Sequence, residues 1–372
     1  MGNNSIYTPE MQNKIKRLVG LGWMTRGKLD SFSTIKYLLM DIYRQNKQTG
    51  IHYLGYDKPE DAPFFVPSSA YRASTSGSMY NLDLFEEGAK MIEYDFNEAY
   101  SKIMRNYPLP SNTYLKAKYN TDQAILRAIN RPKVRPYENL RTYMFFLVNF
   151  EGTAKEGTYA NPKSQSMFAD YGENPKTANE PIWLSEIELT LILDYYDIKE
   201  MEVLDSHTFL TKKGLLKEYF ERIEPLKTDP DTLKLYKNLR TKVFGAIGQK
   251  TLREGEVNTF DKYSMYNRAY SSMVAGVFRD RMVRYEQKYV HSEYGLLKIR
   301  TDGLYFRSEV PEFEELYKLG VVKKKVHTIS KEEVEKALEF KNKGFENKGS
   351  LGKSKDEVKG VVIDDDFEFD FD

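Results

Sequence analysis

The sequence predicts an α+β fold, on three observations. In residues 91–104, MIEYDFNEAYSKIM, the strand-like alternation of Ile92 and Tyr94 gives way to helical spacing at Ala99, Ile103 and Met104, so a strand ends and a helix begins at Asp95. In residues 296–306, LLKIRTDGLYF, two apolar runs flank Thr301-Asp302-Gly303, which is the pattern of two strands joined by a tight turn. Residues 229–251 open on a helix start, Asp229-Pro230-Asp231, and then place Leu233, Tyr236, Lys237, Arg240, Val243 and Phe244 at spacings of three or four.

The chain of 372 residues suits two or three domains or one multi-lobed enzyme, and a hydrophobic share of 40% is enough for real cores. It has no cysteine, which excludes disulfides, thiolate zinc sites and a cysteine nucleophile, and agrees with a reducing cytoplasm. No stretch approaches about 18 continuous apolar residues and the N-terminus lacks a signal-peptide pattern, so the expectation is a soluble, cytoplasmic protein with no membrane partner. With 56 basic and 55 acidic residues the net charge is +1, and affinity for nucleic acid has to come from local arrangement. The 28 tyrosines and 21 phenylalanines offer stacking surfaces, although most such rings build cores.

Taken in order, residues 1–50 read as helical, with a start signal at Tyr7-Thr8-Pro9-Glu10. Ser33 is placed to cap a helix bearing Ile35, Leu38, Leu39 and Ile42 at i, i+3, i+4 and i+7. Between 50 and 90 the chain turns Pro-, Gly- and Ser-rich, as a linker does, and Tyr71 and Arg72 lie inside it. Residues 105–150 carry a turn at Pro108 and Pro110, a basic patch of Arg127, Arg131, Lys133 and Arg135, and a strand over 143–148. Residues 151–181 are loop-rich, and 183–196 reads as one amphipathic packing helix with Leu184, Ile187, Leu191 and Tyr195 on one side. After the basic helix, 252–272 is polar and tyrosine-rich, and 271–289 reads as a helix beneath the hairpin with Arg279, Arg281 and Arg284 on a solvated face. Lys323, Lys324 and Lys325 are either surface or phosphate contacts, and a Ser-x-x-Glu box at Ser330 opens a further helix. Residues 341–359 are Gly/Lys-rich. The acidic stretch 364–372 reads as a partner-binding tail or, from alternating Phe367, Phe369 and Phe371, as a strand.

A carboxylate leaving the end of a buried strand, where the backbone turns away, is suited to hold a hard divalent cation. Alone, Asp95 would more often cap its helix, and a Thr-Asp-Gly hairpin is usually only a turn. If both strands lie in one sheet, Asp95 and Asp302 converge, and two cations about 3.5–4 Å apart are the apparatus of in-line phosphoryl or nucleotidyl transfer. Lys234, Lys237 and Arg240 share roughly one helix face, with Phe244 two turns beyond Lys237. Such a face suits a triphosphate and its base, or is simply solvated.

Together these segments resemble the polymerase motifs of family B DNA polymerases. Asp95-Phe96-Asn97-Glu98-Ala99-Tyr100 is similar to D-x-x-S-L-Y, Lys237-x-x-x-Thr241-Lys242-Val243-Phe244-Gly245 to K-x-x-x-N-S-x-Y-G, and Arg300-Thr301-Asp302-Gly303 to D-T-D-S, in the family's order. The likeness extends to the protein-primed branch of phages and linear plasmids. Ile182-Trp183-Leu184-Ser185 with Ile187, Leu189 and Tyr195-Tyr196-Asp197 resembles the segment before its fingers helix. Gly22-Trp23-Met24-Thr25 onward resembles the end of its exonuclease domain, and Gly360-Val361-Val362-Ile363-Asp364-Asp365 the end of its thumb. The departures are Glu98 for a small hydroxyl residue, Thr241-Lys242 for Asn-Ser, Arg300 for the less essential acid of its motif, and the lack of a clear Lys-x-Tyr motif near the thumb. Arg300 either weakens the metals or pairs with Glu98.

The resemblance implies a right-hand polymerase with an antiparallel palm sheet, helical fingers and a small thumb. It divides the chain into a helical remnant of an exonuclease-domain end with its linker (1–62), palm with an inserted loop region (63–200), fingers (201–262), palm (263–310) and thumb (311–372). The implied activity is template-directed addition of dNMPs to a primer 3′-hydroxyl in phage or plasmid genome replication. Asp95, Asp302 and the Phe96 carbonyl would hold two Mg²⁺ ions, for which Mn²⁺ can substitute. Lys237 joins the two aspartates as a catalytic residue, and Phe96, Tyr100, Lys234, Lys237, Thr241 and Phe244 make the nucleotide pocket, where Tyr100 excludes a 2′-hydroxyl. Tyr71, Arg72 and Thr301 contact DNA. The implied partners are a DNA primer–template and dNTPs, with a terminal protein and a separate exonuclease-domain chain as candidates. The 94 residues before Asp95 are too few for a whole exonuclease domain and lack its paired-acid motif, which makes a split enzyme the expectation. Residues 151–181 occupy the position of a terminal-protein region, and 252–272 leave little room for the hairpin that gives relatives processivity. Two rival readings share these residues: a catalytically silent polymerase-like DNA-binding or scaffold subunit, and an RNA polymerase or reverse transcriptase, against which Tyr100 argues.

Overall fold

Two antiparallel sheets and the helices around them account for the chain in a computed structural model that describes residues 7–22, 29–48, 78–115, 119–131, 137–161, 166–168, 171–177, 180–248 and 267–343. In chain order the elements are α1 (Pro9–Leu18), α2 (Ser31–Gln48), β1 (Ser78–Tyr80), β2 (Lys90–Phe96), α3 (Ala99–Asn106), β3 (Pro108–Leu115), α4 (Thr121–Ile129), β4 (Thr142–Ala154), β5 (Ile182–Ser185) and α5 (Glu186–Tyr195). Then come β6 (Tyr196–Lys213), α6 (Lys217–Ile223), α7 (Leu233–Gly248), α8 (Arg268–Tyr289), β7 (Leu296–Arg300), β8 (Gly303–Phe306), α9 (Pro311–Lys318), β9 (Val322–Thr328) and α10 (Lys331–Lys343). The first sheet has the order β1-β7-β8-β2-β9 and the second β3-β6-β4-β5.

In β2 the period of two sorts the side chains. Ile92, Tyr94 and Phe96 enter the main core, while Met91 joins a smaller cluster with Leu297 and Ile329 on the other face. Beneath the first sheet runs α8, which is buried nearly all round, as a helix enclosed on every side should be. Its Phe278 meets the Phe96 ring edge-on at 5.8 Å, and its Tyr285 stacks on the same ring at 6.0 Å. These rings fix where β2 ends.

Several sequence expectations change here for local reasons. Ser33 is not the cap of α2: Asp30 holds that role, its Oδ1 accepting from Ser33 N–H at 2.7 Å while Ser33 Oγ accepts from Asp30 N–H at 2.8 Å. Pro108 and Pro110 lie in β3 rather than in a turn, and β3 tolerates them as an edge strand. The segment 183–196 is not one helix. Ser185 caps α5 by accepting from Glu188 N–H at 3.2 Å, and the residues before it pair with β4 as β5. Position 201, the expected start of the fingers, lies inside β6, which pairs with β4 from Tyr196 to Leu210 and belongs to the second sheet. Arg279 is not on a solvated face: it is buried and donates to the Met167 carbonyl at 2.8 Å. Residues 252–266 and 344–372, with the readings made of them, lie outside the described residues.

Candidate active site

The two aspartates meet at one end of the first sheet. β2 and β8 are antiparallel neighbours, with Asp95 directly opposite Gly303, and Phe96 N–H donates to the Asp302 carbonyl at 3.1 Å. Asp302 occupies the two-residue turn between β7 and β8, where Arg300 pairs with Gly303. A Cβ at Gly303 would come within 3.1 Å of the Tyr305 ring, which would have to give way by a few tenths of an ångström. Thr301 has φ +52° and Glu98 φ +56°, the left-handed non-glycine residues of the described chain. A β-branched residue there is strained, and such strain costs of order 1–3 kcal/mol and gathers at functional sites. Each lies within three residues of one of the two aspartates.

Electrostatics make the pair unusual. Burial first, and then the neighbouring Asp95 charge, push the Asp302 carboxyl up to about 7. Asp95 is raised too, by burial and then by Glu93, against the pull of Lys323 and Lys325. Among the described residues neither aspartate forms an ion pair. Opposite Asp95 in the ladder stands Lys323, and opposite Glu93 stands Lys325. The three lysines of β9 are therefore not one patch: Lys324 faces the other way and is taken up by Glu309 at 2.8 Å and Glu314 at 2.7 Å. Glu93 is held by Tyr305 Oη at 3.2 Å and His327 Nε2 at 2.6 Å. Two half-buried carboxylates that repel one another, with the Phe96 backbone carbonyl next to Asp95, fit a divalent cation, which would offset the desolvation and repulsion that raise the proton affinity of Asp302. No group of three or more His, Cys, Asp or Glu side chains disposed for a metal occurs among the described residues, so further ligands would have to be carbonyls, water or substrate.

Helix α7 packs against α3, the helix that follows Asp95. Lys234, Lys237 and Thr241 are exposed along it, and Lys234 and Lys237 make no ion pair among the described residues. Arg240 leaves the expected basic face and turns inward to Glu98, at 2.5 Å. Arg300, expected either to weaken the metals or to pair with Glu98, is exposed, and Glu98 is engaged by Arg240 and, at 3.9 Å, by Arg105. Tyr100 and Phe244 come together as a stack, centroids 5.1 Å apart and planes at 25°, with Phe278 5.5 Å from Tyr100. The Phe96 side chain is buried in the core, so only its backbone is available to a metal or nucleotide. Tyr71 and Arg72 lie outside the described residues. Glu93, Tyr305, Lys323 and His327 belong to the site's surroundings and were not singled out from sequence, although Glu93 lies two residues before Asp95 and so on its face.

No family model matches the chain. The DNA polymerase of Bacillus phage B103 is 26% identical over 166 residues, 42% of this chain and 26% of the relative. That of Bacillus phage Nf is 24% identical over 180 residues, 46% of this chain and 28% of the relative. Among solved structures, Phi29 DNA polymerase with primer-template DNA and incoming nucleotide superposes with a TM-score of 0.55 at 17% identity, covering 80% of this chain and 52% of that one. Its complex with single-stranded DNA gives 0.53 at 17% identity, covering 80% and 50%. The chain thus spans about half the length of the solved polymerase and shares its fold over that span, α+β with antiparallel sheets.

Proposed function

We propose that the chain carries the polymerase module of a DNA-directed DNA polymerase of the phage protein-primed kind and adds dNMPs to a primer 3′-hydroxyl. The observation that carries the reading is the un-neutralised acid pair, Asp95 and Asp302, at the strand end beside the Tyr100–Phe244 stack. In support, the phage relatives are DNA polymerases, and the solved neighbours bind primer-template DNA and incoming nucleotide. Asp95, Asp302 and the Phe96 carbonyl are the ligands the chain would offer to two Mg²⁺ or Mn²⁺ ions, which supply Lewis acidity at the attacking hydroxyl and the leaving pyrophosphate. Lys237, exposed on α7, draws the triphosphate by charge, and Thr241 stands one turn further along the same side. Tyr100, packed against Phe278, is the residue that would exclude a ribose 2′-hydroxyl, and Phe244, stacked on it, would pack against the nascent base pair. Thr301, with Tyr71 and Arg72, is the proposed DNA contact. A terminal protein as primer, a separate exonuclease chain and a place in phage genome replication in the host cytoplasm complete the reading. Among the described residues no helix is long and apolar enough to cross a membrane.

Extension of a labelled primer–template with Mg²⁺ and dNTPs, beside Asp302→Ala, tests it. Extension by the wild type and none by the variant is expected. A wild type that extends nothing with either metal, alone or with an exonuclease-domain partner, would leave the silent-subunit alternative standing.

A further inference from the structure

We infer that Glu98 and Arg240 form a positioning pair that sets helix α7, and with it Lys237, against the strand end that bears Asp95, and so governs affinity for the incoming nucleotide. The inference rests on the polymerase reading for its substrate but not for its geometry. Glu98 stands at the N-terminus of α3 in left-handed backbone, and its side chain makes no capping bond. An acidic residue there without a capping role is held for another purpose, and its Oε1 accepts from Arg240 at 2.5 Å. Both side chains are largely withdrawn from solvent, Arg240 18% and Glu98 27% exposed, where an ion pair is screened less than at a surface.

The contact is one side of a closed circuit. Arg240 lies over the Tyr236 ring at 5.8 Å, and Tyr236 Oη donates to Glu224 at 3.1 Å. Glu224 faces Arg105 at 3.6 Å, and Arg105 returns to Glu98 at 3.9 Å. Three elements meet in it: α3, which follows the Asp95 strand, the short helical turn at Glu224–Lys227, and α7. One turn from Arg240 in one direction is Lys237, and one turn in the other is Phe244, stacked on Tyr100. The ion pair and the ring stack thus hold α7 to α3 at two points one turn apart, both just C-terminal to Lys237, and two points fix both rotation and slide of a helix where one fixes neither.

Steady-state dNTP incorporation by wild type, Glu98→Gln, Arg240→Met and the exchange of Glu98→Arg with Arg240→Glu tests this, with thermal unfolding recorded for each. Each single variant is expected to raise the dNTP KM about tenfold with kcat within about threefold, and the exchange to bring KM back to within about threefold of wild type. Glu98→Gly relieves the left-handed backbone yet removes the carboxylate, and is expected to behave as Glu98→Gln does. A fall in kcat at constant KM, a wild-type KM in Glu98→Gly, or a folded exchange variant with no recovery would overturn the pair. Amide hydrogen exchange over 233–248, without substrate, separates this inference from the polymerase reading. Faster exchange in the single variants and its reversal in the exchange variant support the pair even in a protein that incorporates nothing, and uniform exchange across the series overturns it.

Discussion

Two carboxylates in this molecule, one buried and one half-buried, meet opposite fates. Glu186, at the start of α5, is fully buried and accepts from Arg127 Nε at 2.8 Å, from Arg131 and from Met144 N–H at 3.1 Å. Asp302, at the turn of the first sheet, has a second carboxylate for its neighbour and no cation paired to it among the described residues. A buried charge is tolerated when it is paired and hydrogen-bonded, and otherwise its proton affinity rises. Glu186 is a joint that locks α4 to β4 and α5. Asp302 instead holds its proton up to about pH 7, and a perturbed carboxyl at a strand end marks a candidate functional site.

The contrast breaks most sharply at the aspartates. Asp95→Ala and Asp302→Ala are expected to lower nucleotide incorporation by about a thousandfold or more, while thermal unfolding shows equal or greater stability because a repulsion has gone. Glu186→Ala inverts this outcome. It strands Arg131 in the interior and costs about 3–5 kcal/mol in urea unfolding, with incorporation per folded molecule little changed. A loss of stability in Asp302→Ala as large as in Glu186→Ala would erase the distinction.

Proton linkage sharpens the comparison further. Folded Asp302 holds its proton more tightly than the unfolded chain does, so its contribution to stability is complete below about pH 4 and is lost as pH rises through its folded value of about 7. Asp302→Asn should abolish that decline in urea midpoints. Glu286, which burial pushes up to about 8, adds a decline of the same sign that overlaps this one and extends to about pH 8, and it should persist in the variant. The smallest effect concerns Lys323, which pulls the proton affinity of both aspartates down. In Lys323→Met the acidic limb of the pH–rate profile should move to higher pH, with less than about a threefold change at the plateau.

Periodicity disclosed β2, the β7–β8 hairpin and α7, because in each the apolar residues recur at the spacing of the element itself. Asp95 and Asp302 were readable as a pair because strand ends in one sheet converge. What local pattern could not disclose was the destination of long charged side chains. Arg127 and Arg131 read as a basic patch, yet both reach across to Glu186, 59 and 55 residues away. Arg240 read as part of a phosphate-binding face and is drawn to Glu98 instead, across 142 residues. β6 was missed for a related reason: its outer half alternates polar residues that face solvent, and its strand character comes from pairing with β4 over nearly its whole length.

The central claim is that Asp95 and Asp302 form a cation site rather than a pair of turn residues. Cleavage of the backbone by Fe²⁺ and ascorbate, which cuts next to a bound ion, reads this without requiring turnover. Cuts at 95–98 and 301–303 that Mg²⁺ suppresses, present in wild type and in folded Glu186→Gln but absent in Asp302→Asn, are the predicted result. Cuts that Mg²⁺ does not compete, or an identical pattern in Asp302→Asn, would contradict it.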